Sequence, residues 1–487
     1  MSFNVINPRR CAAAVRPLTV AAMVALLSGC YSYRLDRIEN PVMLPPAWDA
    51  GNTTGATAVV EKEWWKGFGS PVLEKLIEDA LRNNPGIIAT EERLKQAERA
   101  MGQTRDGLFP EVSLSASTSK GVSGTTGTDG FNDNAQATQS TSLSLGASYN
   151  VDLWGATAAR YRASLAGFIG TQYDADLAHI QLSASVAQAY FNLLQVRSSV
   201  DVARENLRIA EEVLRITQAR FDNGVLRQFD LTQQNITVQT QRNQLIPREN
   251  QMRRAETALG LLLGVTPQDF HLQGEPIEQL QVPEVTPWLP SELLLRRPDL
   301  AAAETDMAAS RANLAAARAS LIPVTLSISA NVSKSSPELL SLTDPTNYSL
   351  SGALRIAEGI FNHRARKNAV LNAESNEYLA LINYAQTIRT ALKNVDDALA
   401  AAVEAQLTEA NQQATLTQTR RAYELAQIEF REGSGSQQEL LDAQRSLFTA
   451  QDAVLSARVS RLNAALTLFV ALGGGWTAPD SAAIASR

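Results

Sequence analysis

Ser142-Leu143-Ser144-Leu145-Gly146-Ala147-Ser148-Tyr149-Asn150-Val151 alternates small polar and apolar residues throughout, and its reading decides the fold. In an extended strand successive side chains point to opposite faces, so this stretch makes one apolar face and one face of hydroxyls and other small groups. Three more stretches do the same. Val112, Leu114 and Ala116 interleave with Ser113, Ser115 and Ser117, and Leu326, Ile328, Ala330 and Val332 with Ser327, Ser329, Asn331 and Ser333. Tyr348, Leu350, Leu354 and Ile356 interleave with Ser349, Ser351 and Arg355. A half-buried hairpin in water gives this pattern, and so does a strand between lipid and a wet lumen, where about 9–11 residues cross the hydrocarbon core.

The setting favours the membrane reading. Each hairpin sits between long helical stretches of an exported chain, and its turn, Gly121 to Gly130 or Ser335 to Asn347, is rich in Gly, Ser, Thr, Asp and Pro. Four strands cannot close a barrel, and an open edge in hydrocarbon leaves backbone groups unpaired at a cost of several kcal/mol each. Several chains must therefore share one barrel. Two chains supply eight strands, a number whose interior is about filled by its own side chains. Three supply twelve and leave a bore, so the strand count points to a homotrimeric pore.

The strands belong to an internal repeat, Leu73 to Gly264 and Leu293 to Gly473. Asn84-Pro85 matches Arg297-Pro298 and Phe109-Pro110 matches Ile322-Pro323, both 213 residues apart, whereas Phe221-Asp222-Asn223-Gly224 matches Phe430-Arg431-Glu432-Gly433 at 209. The difference falls between these anchors, where loops of unequal length join the strands.

The helices carry sevens. Ala443, Ala450, Ala457, Ala464 and Ala471 recur at that interval, as do Leu440, Leu447, Val454 and Leu468, with Arg461 in the remaining slot. The first repeat offers Leu231, Val238, Leu245, Met252 and Leu259 at the equivalent places, and Ile388, Leu392, Val395, Leu399 and Ala402 step four, three, four, three. Sustained sevens mean coiled-coil packing, and alanine seams let helices approach closely. No proline interrupts Gly359 to Glu432, so at ~1.5 Å per residue this segment reaches on the order of 100 Å. Gly224 and Gly433 supply the permissive backbone for a helix-turn-helix tip in each repeat. Five prolines between Thr266 and Pro290 exclude a continuous helix there, and this segment is expected to form a collar with residues 31–70 and the Gly473-Gly474-Gly475-Trp476 tail.

At the front, Arg9 and Arg10 precede the apolar run Ala12 to Leu27 and then Leu27-Ser28-Gly29-Cys30, a secretory leader ending in a lipobox whose Cys30 thiol is acylated. Tyr31 in place of Asp directs such a lipoprotein to the outer membrane. One acyl chain is only one of the two signals that stable attachment needs. Losing the leader removes Arg9, Arg10 and Arg16 and no acid, taking the formal charge of the 487-residue chain from −6 to −9, which argues against a nucleic-acid surface. Cys11 leaves with the leader, so the mature chain has no internal disulfide. No run of eighteen apolar residues follows Cys30, so spanning falls to strands.

The expected organisation is mainly α with a membrane β-barrel. Residues 1–29 are the lipoprotein signal peptide and 30–70 the lipidated N-terminal segment and collar. Residues 71–265 are repeat 1 with its hairpin at about 110–152, and 266–290 the Pro-rich inter-repeat collar segment. Residues 291–473 are repeat 2 with its hairpin at about 323–358, and 474–487 the tail. Enzyme motifs are missing: His179, His271 and His363 lie scattered without ligand spacing, and no phosphate loop, G-x-S-x-G or Rossmann fingerprint occurs. No cofactor is expected beyond the covalent lipid on Cys30.

Leu289-Pro290-Ser291-Glu292-Leu293-Leu294-Leu295-Arg296-Arg297-Pro298-Asp299-Leu300 is the most specific motif, followed by Leu440-Leu441-Asp442-Ala443-Gln444-Arg445-Ser446-Leu447, Ala471-Leu472-Gly473-Gly474-Gly475-Trp476 and Arg220-Phe221-Asp222-Asn223-Gly224. In these the chain resembles the outer-membrane efflux lipoproteins of the OprM and TolC family, over nearly all of its mature length. The resemblance implies a trimer whose twelve-stranded barrel continues into a twelve-helix periplasmic tunnel, meeting a periplasmic adaptor and an inner-membrane pump, usually of the proton-driven RND class. It also implies that charged rings near the helix tips pinch the tunnel shut. The positions six and nine after the tip glycine are Glu439 and Asp442, with Asp230 as a third candidate from repeat 1. The position two after it, which carries an Asp in some relatives, is Gly435 here. The tips Asn223-Gly224-Val225 and Glu432-Gly433-Ser434 resemble the points where adaptor hairpins dock. A type I secretion duct remains the alternative within transport, and a coiled-coil envelope lipoprotein without a pore the alternative outside it.

Overall fold

The computed structural model describes residues 42–48, 63–123, 126–127, 130–131, 136–272, 274–283, 290–322, 324–336, 349–358 and 362–478. The leader, Cys30 and the end of the tail lie outside them. Helix α1 (Pro71–Asn83) is opened by Ser70, whose hydroxyl accepts from the Leu73 N–H at 3.0 Å, and buries Leu73, Leu76, Ile77 and Ala80. Helix α2 (Pro85–Asp106) follows after one residue. The helical stretch ahead of the first hairpin is thus two helices rather than one. A residue before proline is driven out of the α region, and Asn84 has ψ 123°. The second repeat breaks at the matching place: a single turn, Pro290–Leu293, precedes α3 (Pro298–Ala319), and Arg297 has ψ 124°.

Strands β1 (Glu111–Ser123) and β2 (Gln136–Val151) follow α2, and β3 (Val324–Ser336) and β4 (Ser349–Glu358) follow α3. The remaining helices are α4 (Ala156–Asp222), α5 (Gln228–Leu262), α6 (His363–Glu432) and α7 (Gln437–Ala471). At 67 and 70 residues, α4 and α6 are each about 100 Å long.

The long helices pack as the sevens require. α6 runs along α7, α4 runs along α5, α4 meets α7, and α3 lies against both α4 and α6. Leu440, Leu447, Ala450, Ala457, Ala464, Leu468 and Ala471 are buried, and Leu440 and Leu447 share a core with Val213 of α4 and Leu416, Tyr423 and Phe430 of α6. Arg461 keeps its place in the seam by pairing with Glu409 at 2.7 Å. Among the described helices α7 alone is long and apolar enough to cross a membrane, and half of that stretch is buried against its neighbours. Helix α5 continues through Pro247. The next residue, Arg248, forks Asp452 of α7 at 2.8 and 2.5 Å and donates to the Ser199 carbonyl of α4 at 3.2 Å, tying three helices together beside the proline.

The four strands form one antiparallel sheet in the order β1-β2-β3-β4. Register places Leu114 opposite Leu145, Leu145 opposite Val332 and Val332 opposite Leu350, so one face is apolar across all four strands. Its aliphatic side chains are exposed, most of all on the outer strands: Leu114 is 72% and Leu350 74% exposed, against 51% for Leu145. The other face is a serine ladder, with Ser115 and Ser144 hydroxyls 2.7 Å apart, Ser117 and Ser142 2.8 Å, and Ser140 and Ser335 3.2 Å. Among the described residues β1 and β4 each have a strand partner on one edge only.

The repeat also fixes how the tunnel hairpins join the front helices. The Asn84 carboxamide donates to the Leu262 carbonyl at the end of α5 (2.8 Å), and the Arg297 guanidinium donates to the Ala471 carbonyl at the end of α7 (2.6 Å). Two residues beyond each carbonyl a left-handed glycine, Gly264 (φ 70°) or Gly473 (φ 98°), lies against the backbone before the proline turn. A Cβ on Gly264 would stand 2.4 Å from the Asn83 carbonyl oxygen, and one on Gly473 would stand 1.9 Å from that of Arg296. Arg297 is 8% exposed and also forks Asp299 at 3.0 and 2.6 Å. Asp299 in turn accepts from the Leu300 N–H at 2.9 Å.

The segments expected to form a collar pack against the long helices. Phe68 packs on Phe191 and Phe469, with ring centroids 5.1 and 6.3 Å away, wedging residues 64–68 between α4 and α7. The Gln281 N–H donates to the Phe68 carbonyl at 3.0 Å, joining the N-terminal and inter-repeat segments. The Tyr190 hydroxyl donates to Glu275 at 2.9 Å.

Gly473→Ala is therefore expected to combine an unfavourable left-handed backbone with a collision against a carbonyl, at a cost of roughly 2–4 kcal/mol. The melting temperature should fall by several degrees, whereas Gly102→Ala, in open space on α2, should leave it unchanged or higher.

Candidate functional site

The tips of the two helical hairpins, α4–α5 and α6–α7, hold all nine sequence-predicted site residues apart from Cys30. Asn223 closes α4, its N–H donating to the Ala219 carbonyl at 3.2 Å, and Gly224 follows with φ 71°. The Val225 N–H returns to the Arg220 carbonyl at 2.9 Å, an ending that satisfies the helix's last carbonyls through a left-handed residue. At the second tip Gly433 has φ 84°, and the N–H groups of Ser434 and Gly435 both reach the Glu429 carbonyl at 3.0 Å. Val225 is 60% exposed and Phe229, four residues on, 65%, so the first tip presents apolar surface. A Cβ on Gly224 would touch nothing within 4 Å, so this glycine is held by its backbone angle and its outer face is open.

Two of the three candidate gate acids prove to be helix caps. Glu439 and Asp230 lie 209 residues apart and both occupy the third position of their helix. Glu439 accepts from the Ser436 N–H (2.8 Å) and hydroxyl (2.9 Å), while its own N–H donates to that hydroxyl at 3.2 Å, a complete capping box. Asp230 accepts from the Arg227 N–H at 3.1 Å and its guanidinium Nε at 3.2 Å. The Ser436 backbone N–H, then its hydroxyl, holds the Glu439 carboxyl below the usual glutamate range, and the Arg227 side chain does the same for Asp230. Each cap is complete above the ordinary carboxylate range and is lost as pH falls through the lowered value. Asp442 is held more loosely: Gln438 donates to it at 3.2 and 3.0 Å, Arg445 stands 3.9 Å away, and its side chain is 54% exposed.

The contacts that join the tips were not assigned from sequence. The Arg220 guanidinium donates to the Phe430 carbonyl and lies 4.8 Å from the centre of the Phe430 ring. The Gln437 carboxamide donates to the Asp230 carbonyl at 2.7 Å. Together they fasten the first hairpin to the second within one chain. Arg220 stands in a quoted motif, but its partner is 210 residues away and no local periodicity announces it.

A family model described as outer membrane efflux protein matches residues 76–265 and 289–474. OpmQ of Pseudomonas aeruginosa, a pyoverdine export outer membrane protein, is 34% identical over 471 residues, covering 95% of this chain and 97% of that protein. SilC of Salmonella typhimurium, described as a probable outer membrane lipoprotein, is 28% identical over 459 residues, 93% and 97% of the two chains. Among solved structures CusC, studied for the changes that accompany folding and transmembrane channel formation, superposes with a TM-score of 0.79 at 26% identity, covering 91% of this chain and 99% of its own. A protomer that is mainly helical and adds four strands to a membrane channel is what the alternating stretches and the sevens had implied. Matched by that model over both of its repeats, the chain belongs to the outer membrane efflux protein family.

Proposed function

We propose that three copies of this chain pool their strands into one twelve-stranded barrel and their long helices into one tunnel, making a passive export duct across the outer membrane and periplasm. The open sheet carries this reading. Its aliphatic side chains are exposed and, among the described residues, its two outer strands each have a partner on one side alone, a surface that lipid and neighbouring strands satisfy together. The opposite face lines the bore with serines. Acylated Cys30 supplies a second membrane anchor on each protomer. An adaptor docks at Asn223, Gly224, Val225, Glu432, Gly433 and Ser434, and an inner-membrane pump of the RND class supplies the energy and selects the cargo. OpmQ is named for pyoverdine, and a passive duct carries what its pump delivers, which suits export of drugs or other small toxic compounds. The purified, acylated protein should run as a cross-linkable trimer in detergent and conduct ions across planar bilayers; a water-soluble monomer without affinity for bilayers overturns the reading.

The tips would be the resting gate. Threefold symmetry triples Glu439, Asp442 and Asp230 into rings that favour cations and respond to salt. Replacing Glu439 and Asp442 together by Asn is expected to raise single-channel conductance and weaken cation preference, and Asp442→Asn alone, which leaves the capping box whole, should retain part of the effect. Unchanged conductance and ion preference place the gate elsewhere. Bulky substitutions at Gly224 and Gly433 should abolish export-dependent resistance while trimer and membrane insertion persist; resistance that survives both places docking elsewhere.

A further inference from the structure

The two repeats meet along one seam inside the chain. There α4 runs antiparallel to α7 at a steady register: the Ile180 side chain lies beside Gly474, the Gln195 carboxamide donates to the Ser456 hydroxyl at 3.3 Å, and Arg248 joins Asp452 to the Ser199 carbonyl. Leu455, Val459, Leu462 and Leu466 share one face of α7, and all four are buried. Above them Gly170 and Tyr173 of α4 are buried against Thr305 of α3 and Trp476.

Each of these α4 and α7 residues has a counterpart 209 positions away, on α6 for α4 and on α5 for α7. The counterparts are open to solvent. Leu455 is 7% exposed and its counterpart Ile246 60%, while buried Leu462 corresponds to exposed Arg253. On α6, Glu404 and Thr408 correspond to Gln195 and Ser199 and are exposed, as are Leu379 and Ile382, which correspond to Gly170 and Tyr173. Among the described residues α4 packs along α3 and α7 of the other repeat as well as α2 and α5 of its own, whereas α6 packs along α3 and α7 alone. Each chain thus carries both halves of a second seam, and the halves do not pack together within it. Two unlike faces of one chain can meet between chains, and such a head-to-tail contact closes into a ring when its rotation divides the circle.

We propose that α5 of one protomer lies antiparallel on α6 of the next, in the register that α7 keeps on α4, with α2 covering Leu379 and Ile382. The seam rests on the trimeric reading above and adds which helices meet and at which residues. Pro247 and Glu404 take the places of Ser456 and Gln195 and stand opposite each other. Exposed Ile246 and Leu407, on either side of that level, then cover one another. Arg253 lies six residues along α5 from Pro247 and Asp396 eight back along α6 from Glu404, which brings the guanidinium within reach of the carboxylate. Arg253 donates to Asn250 on its own helix, and one oxygen of Asp396 is buried without a hydrogen-bond partner, so a cation facing that carboxylate offsets the cost of its burial.

The test places thiols in the full-length protein and oxidises outer-membrane preparations mildly before non-reducing electrophoresis. Pro247→Cys/Glu404→Cys should give disulfide-linked dimers and trimers on the order of tenfold more abundantly than Pro247→Cys/Asn411→Cys, whose second thiol lies two turns away on the same face of α6. Each single variant should stay unlinked, which also controls for Cys30. Equal yields from the two pairs overturn the register, and no linkage from either overturns the seam. Arg253→Asp and Asp396→Arg should each lower the temperature at which the detergent-solubilised trimer dissociates, and the two together should restore it. Single variants without effect, or a double variant without recovery, overturn the ion pair. Planar-bilayer conductance separates the premises: conducting trimers whose thiols at 247 and 404 stay unlinked sink the seam alone, and monomers that neither conduct nor enter bilayers sink the trimeric reading and the seam with it.

Discussion

The close approach of each tunnel hairpin's final glycine to the carbonyl before a proline turn is the constraint on which the rest of the molecule is built. It requires three things at once: a residue without Cβ, a left-handed backbone, and a proline that forces the residue after the facing one, Asn84 or Arg297, out of the α region. Gly264 meets Asn83, and Gly473 meets Arg296. A side-chain donor on the pre-proline residue, Asn84 or Arg297, then takes a terminal carbonyl of the same hairpin. The two halves of the chain differ in the donor and agree in the geometry. The short front helix is thereby set beside the long one, and the strands that leave from both enter a single sheet.

Above and below this joint, two different chemistries meet their surroundings. The sheet exposes apolar side chains on one face and pairs serines on the other. The helices instead bury alanine and leucine among themselves and leave charged pairs on the rim, such as Arg208 with Glu205 and Arg215 with Glu212, which contribute little each. The long column therefore holds together by close contact of small residues along α6 and α7. The few polar ties that cross between helices, Arg248 to Asp452 and Arg220 to Phe430, fix relative position more than they add strength.

This division bears on motion. Alanine seams present shallow relief to a neighbouring helix, and one helix can shift over another with small changes in burial. The tips resist such a shift through a handful of bonds. Two of the acids that a threefold axis would gather at the mouth already serve as caps, so charge and helix-end stability there are linked through the same carboxylates. Lowering the pH weakens the caps as it neutralises the same carboxylates.

Much of this was legible along the chain because it is written in local periods. Alternation of two gave the four strands and their faces, intervals of seven gave the helix seams, and the offsets of 213 and 209 gave the doubled architecture. The tip glycines showed themselves because a reversing helix needs an unusual backbone angle that few residues tolerate. Periodicity is blind to partners, however. That Arg297 of the longest motif grips the end of α7, that Arg220 bridges to Phe430, and that Glu439 caps a helix with Ser436 follow from which segments are brought face to face. Those encounters join residues about 200 positions apart or compete with solvent for one carboxylate, and packing of the folded chain alone settles them.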